Sequence, residues 1–144
     1  MFSFGPETWG HGPRGATRRV KRFGIHLQCA WRILDHGLVL LGADDLYVQR
    51  SDLDPGTEID VNNLGASRRE ELLAAFFEAR AAEPRVVAAV TTPRLGNLRI
   101  CLDDGSVLEV LPDEVPRGDQ EYWRFVDVEG PHLVVGNGTF EKVG

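Results

Sequence analysis

Apolar and polar positions alternate with a period of two through much of the chain. From Ile25, the residues Ile25, Leu27, Cys29, Trp31 and Ile33 alternate with His26, Gln28, Ala30 and Arg32, which predicts one half-buried strand. Asp35-His36-Gly37 then turns the chain into Leu38-Val39-Leu40-Leu41. A three-residue loop with glycine in the left-handed position sets Ile33 opposite Val39 and Trp31 opposite Leu41, and keeps one face apolar. Further on, RVVAAVTT, NLRICL, SVLEVL, EYWRFVDV and HLVVG read as the strands of a meander. Asp103-Asp104-Gly105 joins the second of these to the third. A three-residue loop there places Ile100 opposite Leu108 and Leu98 opposite Val110 on the core side, with Arg99 opposite Glu109 on the wet side. A two-residue loop would set Ile100 against Glu109, so the pattern selects the longer one. LDHGLVL and LDDGSVL share turn chemistry, but their faces disagree, which argues against a duplication.

The period changes in SRREELLAAFFEARAAEP. Ser67 followed by Glu70 has the form of a capping box. Leu72, Leu73, Phe76 and Phe77 follow at helical spacing, and Pro84 stops the run. The spacing predicts a helix over Ser67 to Ala82 with its apolar stripe turned to the core. Residues 43–63 hold many turn formers around one strand-like piece, Leu46-Tyr47-Val48. The fold class expected is therefore α+β: a curved, largely antiparallel sheet of six or seven strands with one main α-helix packed on one face.

A chain of 144 residues, 42% hydrophobic and 26% charged, fits one domain whose core needs neither metal nor disulfide. Its apolar runs, such as Gly37 to Leu41, are too short to span a bilayer. The first residues lack a basic start followed by an apolar stretch, which argues against a secretory signal and for the cytoplasm. Cys29 and Cys101 are expected as buried thiols within strands.

Charge changes the picture more than composition does. The net charge is −6, yet residues 1–24 carry Arg14, Arg18, Arg19, Lys21 and Arg22 against Glu7, a net of +4 that leaves −10 on the rest. Residues 1–20 are expected to form a flexible, basic, Gly/Pro-rich arm, with Phe2, Phe4 and Trp9 able to pin it, and residues 21–144 a single α+β domain. An acidic body disfavours nucleic acid as the main partner. Residues 44–60 carry six acids against Arg50, a net of −5, and residues 103–129 carry nine against Arg117 and Arg124, a net of −7. A macromolecular partner is then expected to be a basic protein that meets Asp52, Asp54, Glu58, Asp60, Asp113, Glu114 and Asp119.

EYWRFVDVEGPHLVVGNG, Glu121 to Gly138, is the stretch most like a motif. Its plain reading is an antiparallel pair with Trp123 and Phe125 buried, and with Arg124 and His132 exposed or paired to carboxylates. The alternative makes Glu121, Arg124 and His132 a polar cluster for binding or proton transfer. His11, His26, His36 and His132 are scattered and the cysteines stand 72 positions apart, so neither a metal nor a cofactor is expected. No Gly-x-Ser-x-Gly stretch or phosphate-cradling loop is present. The chain therefore reads as a non-catalytic interaction protein, with a small-ligand protein or enzyme using a cleft between helix and sheet as the alternative.

HLQCAWRI (His26 to Ile33), GNLRICLDDGSVLEVLPD, and EYWRF followed by HLVVG resemble a family of small, uncharacterised bacterial domains. These carry an early strand with a Trp, a Gly-x-Leu-x-Ile hairpin and a closing Glu-x-Trp-Arg then His-x-Val-Val pattern. The resemblance covers about residues 24–138. It implies a binding role, which for some such domains is an immunity-like one against bacterial toxins.

Overall fold

The computed structural model describes residues 1–11, 16–54, 56, 67–94, 96–113, 118, 120–136 and 139–144. The described chain is mostly antiparallel sheet with one α-helix, as the alternation predicts, but it holds ten strands in two five-stranded sheets where one sheet of six or seven was expected. It divides into two compact units, one formed by Met1–Cys29 and Pro112–Gly144, the other by Ala30–Leu111.

The first unit contains β1 (Phe2–His11), β2 (Thr17–Leu27), β8 (Glu121–Asp127), β9 (His132–Gly136) and β10 (Thr139–Val143), in the order β1-β2-β8-β9-β10. The leading segment, expected as a flexible arm, is thus paired along its length with β2. Two sets of contacts hold it there. Phe4 joins Phe23 and Phe125, with ring centroids 5.6–6.1 Å apart, and three basic residues find carboxylates: Arg19 and Lys21 at Glu7, Arg22 at Asp127 and Glu129. Ile25, Tyr122, Trp123 and Val135 are buried between the strands.

The second unit contains β3 (Ala30–Asp35), β4 (Leu38–Gly42), a 3-10 helix (Ala43–Tyr47), α1 (Arg68–Glu78), β5 (Val87–Thr91), β6 (Leu98–Leu102) and β7 (Val107–Leu111), with strand order β4-β3-β7-β6-β5. The β6–β7 register is the one the pattern selected: Leu98 faces Val110, Ile100 faces Leu108, and Arg99 faces Glu109. Leu102 N donates to Ser106 O at 2.9 Å, closing the three-residue loop 103–105 with Gly105 at φ +84°. Glu109 is shared by Arg99 at 3.4 Å and by Arg32 of β3 at 2.8 Å, a three-strand charge ladder.

Four local expectations are corrected. Ile25 to Ile33 is not one strand: pairing breaks at Gln28-Cys29, so the alternating run is split between the two sheets. Cys29 lies in that break, and both cysteines are half-buried thiols outside any disulfide. The β3–β4 turn has two residues, not three, because an extra residue on β4, Leu40, resets the register to Ile33–Leu41 and Leu34–Val39; His36 at φ +48° and Gly37 at φ +84° give it the left-handed pair of a type I′ turn. Leu46-Tyr47 belongs to the 3-10 helix, whose start is held by Gly42 N donating to Asp45 Oδ2 at 2.8 Å.

The helix is shorter than expected and begins without its capping box. Ser67 is the N-cap residue and fully buried, but its side chain makes no capping hydrogen bond. A bridge between Gln49 and Ser67, with Arg68 N donating to Val48 O at 2.7 Å, fixes the helix start through the backbone. α1 rests on the 3-10 helix and edge strand β4 rather than across the sheet. Phe76 is its buried residue, and Phe77 points outward at 54% exposure, its ring edge-on to Phe76.

Candidate functional site

The polar residues of the Glu121 stretch come together because β8 is irregular. Glu121 and Arg124 are three positions apart, which on a regular strand puts them on opposite faces. The register slips between Glu121, opposite Gly136, and Trp123, opposite Val135, and one extra residue restores the parity. The result is a close ion pair, Arg124 Nη2 to Glu121 Oε2 at 2.7 Å, with Arg124 Nε 3.2 Å from both carboxylate oxygens. Trp123 is buried at 3% exposure, as its alternation predicted, and Tyr122 is buried beside it.

Neighbouring strands complete the face. Arg124 stands opposite His26 of β2 and Val134 of β9, and His132 is two residues before Val134, so it shares their side of the sheet. Met1, His26, Gln28, Glu121, Arg124, Val126 and His132 line an open depression of about 630 Å³. His26 and Gln28 are the members that motif reading missed. The signal was present in their alternation with Ile25 and Leu27, but only the β2–β8 pairing connects them to Glu121.

Electrostatics fixes what this face can do. Burial pushes the Glu121 carboxyl up, but the Arg124 hydrogen bond and charge outweigh it, aided by Gln28 and His26, and the group is held below its ordinary range. The hydrogen bond to Glu121 raises the Arg124 guanidinium in turn. A carboxylate depressed in this way and committed to an arginine is a poor general base near neutrality, where catalysis wants a carboxyl raised toward the working pH. Glu121 is thereby placed as the counter-ion of Arg124. None of its lining residues comes from α1, so it is not the cleft between helix and sheet that the alternative reading required.

The sequence-predicted acidic surface is divided. Asp52 is exposed and held by Arg50 in a two-point contact at 2.9 and 3.0 Å, which draws its carboxyl below the ordinary range. Asp54 is exposed, and its backbone carbonyl accepts from Gln49. Both belong to the second unit, whereas the exposed Asp113 belongs to the first. Glu58, Asp60, Glu114 and Asp119 lie outside the described residues.

A second polar cluster escaped the sequence reading. The two similar Asp-x-Gly turns meet at Arg80, just beyond the end of α1. Its guanidinium reaches Asp104 at 2.8 Å and Asp35 at 3.9 Å, donates to Phe76 O at 3.3 Å, and lies over the Phe76 ring at 3.9 Å. Burial pushes the Asp104 carboxyl up, but hydrogen bonds from the Ser106 hydroxyl and backbone and from Arg80 hold it far below the ordinary range. This arrangement ties the end of the helix to both turns.

Among the described residues no group of three or more His, Cys, Asp and Glu side chains is placed to hold a metal ion, and no helix is long and apolar enough to cross a membrane. No family model, no curated protein and no solved structure matches the chain.

Proposed function

We propose that the chain is a non-catalytic interaction protein whose second unit engages a basic protein. The observation that carries this reading is the partition of charge. The first unit holds eight acidic and eight basic side chains, a net of zero, and the second holds fourteen acidic against eight basic, a net of −6. Arg19, Lys21 and Arg22 pair with carboxylates of the first unit, and the whole excess of acidic residues falls on Ala30–Leu111. Charge of one sign on one module raises its rate of encounter with an oppositely charged partner. An immunity-like role, the neutralisation of a basic toxin, is the specific form of the proposal.

The test is affinity capture on the immobilised chain, followed by direct titration of the captured protein at low and moderate salt. The expected partner is basic, binds several-fold more weakly at moderate salt, and loses affinity for a variant carrying D52N, D54N, E58Q and D60N. A partner indifferent to both salt and these substitutions refutes the reading.

One observation favours a second reading. His26, Gln28, Glu121, Arg124 and His132 converge on a single depression, which suits a small polar ligand. A partner that binds the quadruple variant normally but not Arg124→Ala would select it.

A further inference from the structure

The edge strand β5 presents an apolar row to solvent. All five of its residues are exposed, with Val87 at 40% and Val90 at 57%, and Val86 just before it is 62% exposed. It ends the strand order β4-β3-β7-β6-β5, so among the described residues one side of its backbone has no neighbouring strand. Exposed apolar edges of this kind are templates for pairing with another strand.

Which groups β5 offers follows from the ladder behind it. Leu102 N donates to Ser106 O, which turns Leu102 toward β7. Hydrogen-bonding direction alternates along a strand, so Arg99, Cys101 and Asp103 turn toward β5. Asp103 N donating to Val86 O at 3.0 Å agrees. Cys101 stands opposite Ala89 and Arg99 opposite Thr91, while Leu102 stands opposite Val87 and Ile100 opposite Val90. Val86, Ala89 and Thr91 therefore bond inward, and Val87 and Val90 turn their N–H and C=O groups to the open side. A regular strand could not orient two residues three apart alike. The bulge between Val87 and Ala89 does so here.

We propose that β5 pairs antiparallel with β5 of a second copy of this chain, Val87 against Val90 and Val90 against Val87 across a two-fold axis. The sequence is written for that register: in Glu83-Pro84-Arg85-Val86-Val87-Ala88-Ala89-Val90-Thr91-Thr92-Pro93-Arg94, the same axis sets Val86 against Thr91, Pro84 against Pro93 and Glu83 against Arg94. The prolines flank the paired segment on both sides. Glu83, which within the chain sits 3.6 Å from Arg85, gains Arg94 of the second copy as a further counter-ion at each end of the interface. Pairing Val87 with itself or Val90 with itself would lose both matches. This inference does not depend on the acidic-surface reading, since the paired segment carries its own complementarity.

The test is sedimentation equilibrium on the full chain at high micromolar concentration, with a concentration-dependent dimer expected. Val90→Pro removes an N–H that the monomer's own sheet does not use, so it should keep the far-UV circular dichroism spectrum. It deletes two hydrogen bonds per dimer and should raise the dimer dissociation constant at least ~10-fold. A folded V90P chain that dimerises like the wild type overturns the proposal. Glu83→Arg should weaken the dimer and the exchange E83R/R94E should restore it, and failure of the exchange to restore overturns the register. A wild-type chain that stays monomeric throughout refutes self-pairing and leaves the edge to a strand from another protein.

Discussion

Replacing Trp123 by alanine probes how the first unit is held together. The indole is 3% exposed, stands opposite the fully buried Val135, and meets the Phe140 ring edge-on at 6.4 Å. Burying a large aromatic removes about 150–250 Å² from water, which at about 25 cal/mol/Å² corresponds to roughly 4–6 kcal/mol as an upper figure. Partial collapse around the lost ring lowers this, and Trp→Ala changes in cores cost about 3–5 kcal/mol. Trp123→Phe keeps a ring against Phe140 and is expected to lose less than ~2 kcal/mol. The assay is urea unfolding followed by far-UV circular dichroism. With a slope of about 1–3 kcal/mol/M, the alanine variant should move the midpoint down by more than ~1 M. An alanine variant that loses less than ~1 kcal/mol, or no more than the phenylalanine variant, would show that indole packing does not hold β8 to its neighbours.

Three further outcomes are expected. Because the Asp104 carboxyl is depressed, the folded chain binds its proton less readily than the unfolded chain. Its stabilisation is therefore complete above the ordinary carboxylate range, near about pH 4, and is lost as pH falls below it; Asp104→Asn should cost about 1–3 kcal/mol at neutral pH and flatten the acid limb of the stability curve. Gly136→Ala would drive a Cβ against the backbone oxygen of Gln120, and calorimetry should show a loss of about 1–3 kcal/mol, whereas no loss would mean that Gln120 lies farther from Gly136. Deleting residues 1–11 removes β1 and the Phe4 contacts with Phe23 and Phe125, so the melting temperature should fall by at least ~5 °C, and an unchanged value would restore the reading of this segment as a dispensable arm.

What the sequence determined by itself was local. Alternation located β5 to β9, and the charge pair Arg99–Glu109 selected the β6–β7 register because a slip of one residue would have put a carboxylate among Leu98, Ile100 and Val110. Trp123 was legible as core for the same reason. What the tertiary structure decided was wherever a pattern is blind to its partner. The run from Ile25 to Ile33 keeps its alternation straight through the break at Gln28-Cys29, since periodicity reports the face of a strand and not the sheet it joins. The leading segment looked solvated because Glu129 and Asp127, which neutralise Arg22, lie more than a hundred residues away. The bulges in β4, β5 and β8 add a residue without leaving a mark in composition. One of them brings Glu121 and Arg124 to the same face, and another turns Val87 and Val90 together to an open edge; both follow from backbone pairing, which depends on the neighbouring strand as much as on the residues themselves.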